Sequence, residues 1–89
     1  MKIQLDILAE DIKETQYANA KDCAITRALN RAGYPNLRDG GIIIKDMETG
    51  NTVIGYTNPD YAGLAGKVSY MYMGWLPTID FSVTLDLNI

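Results

Sequence analysis

The segment from Ala20 to Gly33 constrains the fold most, because its apolar spacing and its stop signal both indicate one helix. Its apolar residues recur at the spacing of a single helix face. Gly33 supplies the left-handed backbone that ends many helices, and the Tyr34-Pro35 step that follows cannot continue one. The predicted apolar face consists of Ala24, Ile25, Ala28, Leu29 and Ala32. Because most of these side chains are small, we expect the helix to pack closely on a sheet.

The same pattern predicts how this helix begins and which side faces water. Asp22, or Asn19 one turn earlier, can accept hydrogen bonds from the free amides of the first turn. Thr26, Arg27 and Asn30 fall on the side opposite the apolar face. We therefore expect these three side chains to be exposed.

Alternating and apolar segments predict the strands. Residues 2–8 alternate between apolar and polar side chains, and the segment from Phe81 to Ile89 does the same. The run Ile42-Ile43-Ile44 and the segment from Thr52 to Thr57 flank a turn-like loop at 48–51 and predict a hairpin. Three adjacent isoleucines are typical of a strand that is buried on both faces or lies at an interface.

Helical signals occupy the remaining segments. The acidic segment from Ala9 to Thr15 predicts one or two helical turns. Asn58 followed by Pro59 is a typical helix start, and apolar spacing extends that helix to Met73. The order strand, helix, strand, strand, helix, strand predicts a single α+β domain. We expect a two-layer sandwich, with two helices covering one face of a mainly antiparallel four-stranded sheet.

Composition narrows the classes of function. The chain has 89 residues, a formal net charge of −3, one cysteine and no histidine. One cysteine excludes an internal disulfide, and the lack of histidine removes the commonest general base and transition-metal ligand. Net negative charge argues against direct binding to nucleic-acid phosphates. No apolar run is long enough to cross a bilayer, so we expect a soluble, cytoplasmic protein. Because histidine and paired cysteines are lacking, we expect no metal, and we expect no cofactor.

Cys23 and three arginines are the residues with potential chemistry. Cys23 lies near the first turn of the central helix, but without a histidine base a packed thiol is favoured over a nucleophile, and we expect no enzymatic activity. Arg27 and Arg31 stand one turn apart on that helix, and Arg38 follows in the next loop. They could hold a phosphate or carboxylate through bidentate hydrogen bonds. The alternative is a solvated helix face with cations near its C-terminus.

The second helix carries a cluster of large side chains at its end. One helix face cannot bury all of them, so some should be exposed. Tyr, Trp and Met are enriched at binding surfaces because they give a large contact area at low entropic cost. The alternative is that most of them cover the core of a small domain. The candidate partner-binding residues are Tyr61, Tyr70, Tyr72, Met73 and Trp75.

The helix start from Cys23 to Leu29, the proline-led second helix and the closing strand from Pro77 to Leu85 resemble a loose group of small phage-encoded proteins. In that group a cysteine-proline pair usually opens the helix, and the chain closes on a proline-phenylalanine strand. Ala24 replaces the first proline here, and three residues separate Pro77 from Phe81. The resemblance implies a phage origin and a role against host defences, and it assigns no active site.

These observations favour a non-enzymatic inhibitor that binds a host defence protein, such as a CRISPR effector, stoichiometrically. A second hypothesis is an oligomeric sponge for a nucleotide signal, in which aromatic rings stack on the base and arginines hold the phosphates. A Cys23-dependent enzyme is a third. We also expect a symmetric homodimer, formed through the Ile42–Ile44 hairpin or the aromatic end of the second helix, because a small domain with apolar sheet edges gains stability by pairing.

Overall fold

The computed structural model describes residues 1–17 and 19–89, and this part of the chain forms an α+β fold. The α+β class is as the sequence predicts. The elements in chain order are β1 (Lys2–Ile7), α1 (Ala9–Glu14), α2 (Ala24–Arg31), β2 (Leu37–Asp39), β3 (Ile43–Asp46), β4 (Thr52–Gly55), α3 (Pro59–Tyr72) and β5 (Phe81–Asp86).

The strands form two antiparallel sheets, which corrects the prediction of a single four-stranded sheet. β1 pairs with β5 in a continuous register, and β3 lies between β2 and β4 in the second sheet. The two sheets meet where the amide of Asn88 donates a hydrogen bond to the carbonyl of Val53 at 2.7 Å. β4 ends at Gly55, whose carbonyl accepts from the amide of Asn58 in the turn toward α3.

β2 is the element that the sequence did not predict. The sequence predicts that Arg38 lies in a loop, whereas Arg38 pairs with Lys45 and Asp39 pairs with Ile44 in the β2–β3 ladder. A three-residue strand with two charged side chains has no clear periodicity, so only its pairing with β3 reveals it.

The predicted hairpin is confirmed, because β3 and β4 are adjacent antiparallel strands. Its three isoleucines have different environments, however. Ile44 is fully buried, Ile43 is half-buried and Ile42 is 65% exposed. The run is therefore not buried on both faces.

The core is one cluster that gathers side chains from both sheets and all three helices. α2 packs on β1 and β2, while α3 packs on β4 and β5. The alternation predicted for β1 is confirmed, since Leu5 and Ile7 are buried and Gln4 and Asp6 are exposed. The apolar spacing predicted for α3 is also confirmed by its buried residues Tyr61, Leu64, Val68 and Met71.

The N-cap of α2 is Cys23, which lies one residue after the predicted cap Asp22 and about one turn after the alternative, Asn19. The sulfur of Cys23 accepts a hydrogen bond from the amide of Thr26 at 3.5 Å. The face assignment needs three corrections. Arg27 is half-buried and forms ion pairs with Glu14 and Asp22. Thr26 is buried because its hydroxyl bonds to neighbouring backbone, and Ala32 is exposed because the helix has already ended there.

The stop signal at the end of α2 is confirmed. The amide of Gly33 bonds to the carbonyl of Asn30 at 3.1 Å, and the amide of Tyr34 bonds to the carbonyl of Leu29 at 3.0 Å. These two bonds define a Schellman motif. The glycine has a φ of 102°, a backbone conformation that disfavours a Cβ.

We predict opposite effects for the same substitution at two glycines. Gly33→Ala should lower the free energy of unfolding by about 1 kcal/mol, because alanine is strained in the left-handed region. Gly63→Ala, the matched control inside α3, should raise it by about 0.5–1 kcal/mol. An added Cβ meets no atom within 4 Å at either position, so packing does not decide the sign. Urea unfolding followed by circular dichroism measures both, and shifts of the same sign would contradict the prediction.

Candidate functional site

The C-terminal end of α3 carries a concentration of exposed apolar side chains. Trp75 is the most exposed of them, at 71%. This segment holds five of the eleven large apolar side chains that are exposed in residues 1–17 and 19–89, so the exposure is concentrated and not scattered. Concentrated apolar exposure marks interaction sites. We call the five residues the aromatic surface: Tyr70, Met73, Trp75, Leu76 and Ile79.

The backbone at the end of α3 fixes the position of Trp75. The amide of Gly74 bonds to the carbonyl of Met71 at 3.2 Å, and the amide of Trp75 bonds to the carbonyl of Tyr70 at 2.9 Å. With a φ of 77° at Gly74, this is a second Schellman motif. The rings of Tyr70 and Trp75 lie 5.4 Å apart, which is the apolar contact that usually accompanies the motif. Trp75 is therefore held against the helix end.

Two tyrosines of the predicted partner-binding set have structural contacts. Tyr61 is fully buried and its hydroxyl donates to Asp39, so it is a core residue, which corrects its place in that set. Tyr72 is half-buried, and its hydroxyl accepts from the amide of Ala24 at 2.9 Å and lies 2.5 Å from the hydroxyl of Thr15. Tyr72 therefore links α3 to α1 and α2. The other predicted members belong to the aromatic surface.

The two arginines of α2 are paired with carboxylates. Arg27 contacts Glu14 and Asp22, each at 2.7 Å, and it also lies 3.5 Å from Asp11. Arg31 forms an ion pair with Asp11, which is a buried residue of α1. The charges of both guanidinium groups are therefore already compensated by carboxylates.

Arg38 belongs to a different element. It lies on β2 directly opposite Lys45 of β3, and it forms no ion pair with the residues that the structure describes. The three predicted anion ligands therefore do not act as one set. Acidic side chains of α1 and of the loop before α2 neutralise two of the three arginines.

A second candidate site is a cavity of about 210 Å³ between α2, α3 and the β2–β3 turn. We call it the Asp39 cavity. Sequence reasoning did not find it, because separated segments of the chain form its lining. The lining includes aromatic and aliphatic side chains, a thiol and a carboxyl group: Tyr17, Tyr72, Ile25, Val68, Cys23 and Asp39.

Asp39 is the charged group of this cavity, and it is only 7% exposed. Its Oδ1 accepts hydrogen bonds from the hydroxyl of Tyr61 and, at 3.2 Å, from the amide of Gly41. Its Oδ2 has no hydrogen-bond partner among the described residues. No fully buried side-chain oxygen in this part of the chain lacks a partner, so Oδ2 keeps some exposure, and Asp39 is among the residues that line the cavity. Burial raises the pKa of the Asp39 carboxyl, and the bonds from Tyr61 and Gly41 oppose that rise.

Cys23 lines the same cavity as a packed thiol. Its side chain is 6% exposed and donates to the hydroxyl of Thr26 at 3.4 Å. This agrees with the packed alternative that the sequence favours. The thiol and the amide of Thr26 are both occupied in starting α2, which gives Cys23 a structural role.

No family model, curated protein or solved structure matches this chain. Its function must therefore be inferred from its own geometry. Across residues 1–17 and 19–89, no helix combines the length and apolar character needed to cross a membrane. Within the same residues, no three acidic or cysteine side chains converge as a group that could hold a metal ion.

We predict that Asp39→Asn changes how stability depends on pH. The amide oxygen of asparagine can still accept from Tyr61 and Gly41, but the side chain binds no proton. Because the folded-state pKa of Asp39 is raised from 3.8, the folded wild type holds this proton more tightly than the unfolded chain does. The contribution of Asp39 to the free energy of unfolding therefore grows as pH falls through the raised pKa toward 3.8.

Urea unfolding of both proteins over a pH series measures this effect. The stability of the wild type relative to Asp39→Asn should increase as the pH is lowered. The subtraction removes the contributions of other carboxylates, such as the exposed Asp6 and the half-buried Asp46, whose lowered pKa values give the opposite sign. Parallel profiles for the two proteins would contradict the prediction.

Proposed function

We propose that this protein is a non-enzymatic, phage-encoded inhibitor that binds a protein of a host anti-phage defence system, such as a CRISPR effector, in the host cytoplasm. The contact is the aromatic surface. The observation that carries the binding part of this proposal is the exposure of Trp75, 71% of whose surface is open to solvent although its backbone is fixed. The resemblance of the Cys23–Leu29 helix and the Pro77–Leu85 strand to small phage-encoded proteins supports the anti-defence part.

The aromatic surface has the chemistry of a protein-binding site. Trp and Tyr are the residues most enriched at interface hot spots, and Met adapts its shape to a partner. Because the Schellman motif and the contact with Tyr70 already hold Trp75, little conformational entropy remains to be lost on binding. This supports a stoichiometric protein complex.

The other two hypotheses have less support. In the nucleotide sponge, arginines would hold the phosphates, but two of the three candidates, Arg27 and Arg31, are paired with carboxylates. A cysteine enzyme needs an activating base, but Cys23 is buried and bonded to Thr26, and the chain has no histidine. We therefore retain the hypothesis of a non-enzymatic inhibitor that binds a host protein.

We predict that Trp75→Ala weakens binding to the defence protein by about 2 kcal/mol or more, which is roughly 30-fold in Kd. The free energy of unfolding should change little, because most of the indole faces solvent. Met73→Ala and Met47→Ala form a matched pair, since the two methionines are 48% and 51% exposed and only Met73 belongs to the aromatic surface. Only the Met73 variant should bind less tightly.

The measurement uses a bacterial host that its defence system protects from phage infection. Expression of the wild type or of Met47→Ala should restore plaque formation, whereas Trp75→Ala should not. Calorimetry with the co-purified defence protein then gives the affinities. Full activity of Trp75→Ala would show that the aromatic surface is not the contact. Failure of the wild type to restore plaques on hosts with different defence systems would contradict the anti-defence role.

We also predict that the protein forms a symmetric homodimer. Ile42 and Tyr56 leave large apolar areas open near β3 and β4, and the aromatic surface is a second candidate interface. Light scattering across a micromolar concentration series should give twice the mass of one chain. Ile42→Ser or Trp75→Ala should restore the monomer, depending on which face pairs. A single-chain mass at every concentration of the wild type would contradict dimerisation.

A further inference from the structure

We propose that the Asp39 cavity binds a small organic cation, namely an amine or amidine carried on a flat or short apolar body. This site is separate from the aromatic surface, and the inference does not rest on the proposed function. The cavity measures about 210 Å³. Because a cavity of about 150 Å³ accommodates benzene, there is room for one ring and a small charged group.

The charge of the cavity selects a cation. Asp39 is the one charged residue among the described residues that line it, and no lysine or arginine is among them. Its Oδ1 is engaged by Tyr61 and Gly41, which leaves Oδ2 to accept a hydrogen bond from a ligand. A carboxylate held away from water is costly unless a charged partner compensates it. Burial raises the pKa of this carboxyl, so a bound cation would also favour its ionised form.

Aromatic rings add a second attraction for a cation. Tyr17 and Tyr72 both line the cavity, and their ring centroids lie 6.0 Å apart with an interplanar angle of 57°. The faces of tyrosine rings attract ammonium and amidinium groups. Ile25 and Val68 supply apolar lining for the body of the ligand. The lining of the cavity thus combines an acidic residue, two aromatic residues and apolar side chains.

The start of α2 borders the cavity at Cys23, and a helix N-terminus can attract an anion. Two of its amides are already occupied, however. The amide of Ala24 donates to the hydroxyl of Tyr72 at 2.9 Å, and the amide of Thr26 donates to the sulfur of Cys23 at 3.5 Å. An anion would also be repelled by Asp39. The N-terminus of α2 therefore does not make the Asp39 cavity prefer an anion over a cation.

The test compares three probes of nearly equal shape on the isolated protein. Benzamidine is a cation, benzamide is neutral and benzoate is an anion. Calorimetry should show benzamidine binding roughly tenfold or more tightly than benzamide, because a hydrogen bond to a charged group is stronger, and it should show no binding of benzoate. Amide NMR shifts should localise the bound probe at Gly40, Gly41 and Ser69, which also line the cavity.

Two variants of α3 separate cavity binding from surface binding. Ala65→Leu places extra volume in the lining and should abolish benzamidine binding. Ala62→Leu, the control one turn earlier, does not line the cavity and should bind normally. Asp39→Asn should lose the preference for benzamidine over benzamide. If Asp39→Asn does not fold, the comparison of Ala65→Leu with Ala62→Leu and the comparison of the three probes still test whether the cavity binds a cation.

Several results would overturn the proposal. Equal affinity for benzamidine and benzamide would show that charge plays no part, and binding of benzoate would show that the site prefers anions. Unchanged benzamidine binding in Ala65→Leu, or shifts at amides remote from the cavity, would place the probe elsewhere. Because the assay uses the isolated protein, each of these results is independent of whether a defence protein is ever bound.

Discussion

The hydroxyl of Thr26 is the contact on which the arrangement of the central helix depends. It is buried, donates to the carbonyl of Ala20 at 2.9 Å and accepts from the amide of Asp39 at 3.0 Å. Asp39 in turn accepts from the hydroxyl of Tyr61, so one chain of hydrogen bonds joins α2, β2 and α3. A buried polar group that loses its partner costs about 1–3 kcal/mol. This cost holds the three elements in one arrangement and places the carboxyl group of Asp39 at the cavity.

The charged side chains serve a similar purpose on the other side of α2. Asp11 is buried on α1 and is paired with both Arg27 and Arg31, which fixes α1 against α2. Breaking such a pair leaves an uncompensated charge, so its partners are not free to hold a ligand. Tyr72 adds a polar link from α3 through its contacts with Thr15 and Ala24. These groups are used in positioning the helices, whereas Oδ2 of Asp39 has no hydrogen-bond partner among the described residues.

α3 supports both candidate sites because it is apolar on more than one side. Its buried side packs on β4 and β5, while Tyr70 and Met73 project into solvent and Tyr72 lines the Asp39 cavity. A Cβ atom added at Gly63 or Gly66 of this helix would meet no atom within 4 Å, so packing does not explain why these residues are glycines. The rigid end of the helix thus presents Trp75, and its middle forms part of the cavity lining.

The sequence by itself determined the features that depend on neighbouring residues. Alternation gave β1 and β5, the Asn58-Pro59 start gave α3, and the glycine stops ended both long helices, because dihedral preference and side-chain period act within a few positions. Only the tertiary structure decided which segments meet. The sequence showed that the end of α3 has too many large side chains to bury, but not that Tyr61 would be inside and Trp75 outside. It could not reveal β2, the division into two sheets, the carboxylate partners of Arg27, or the cavity at Asp39. Each of these depends on contacts between residues that are distant in the chain, and such contacts are selected by packing and by the cost of leaving buried polar groups unpaired.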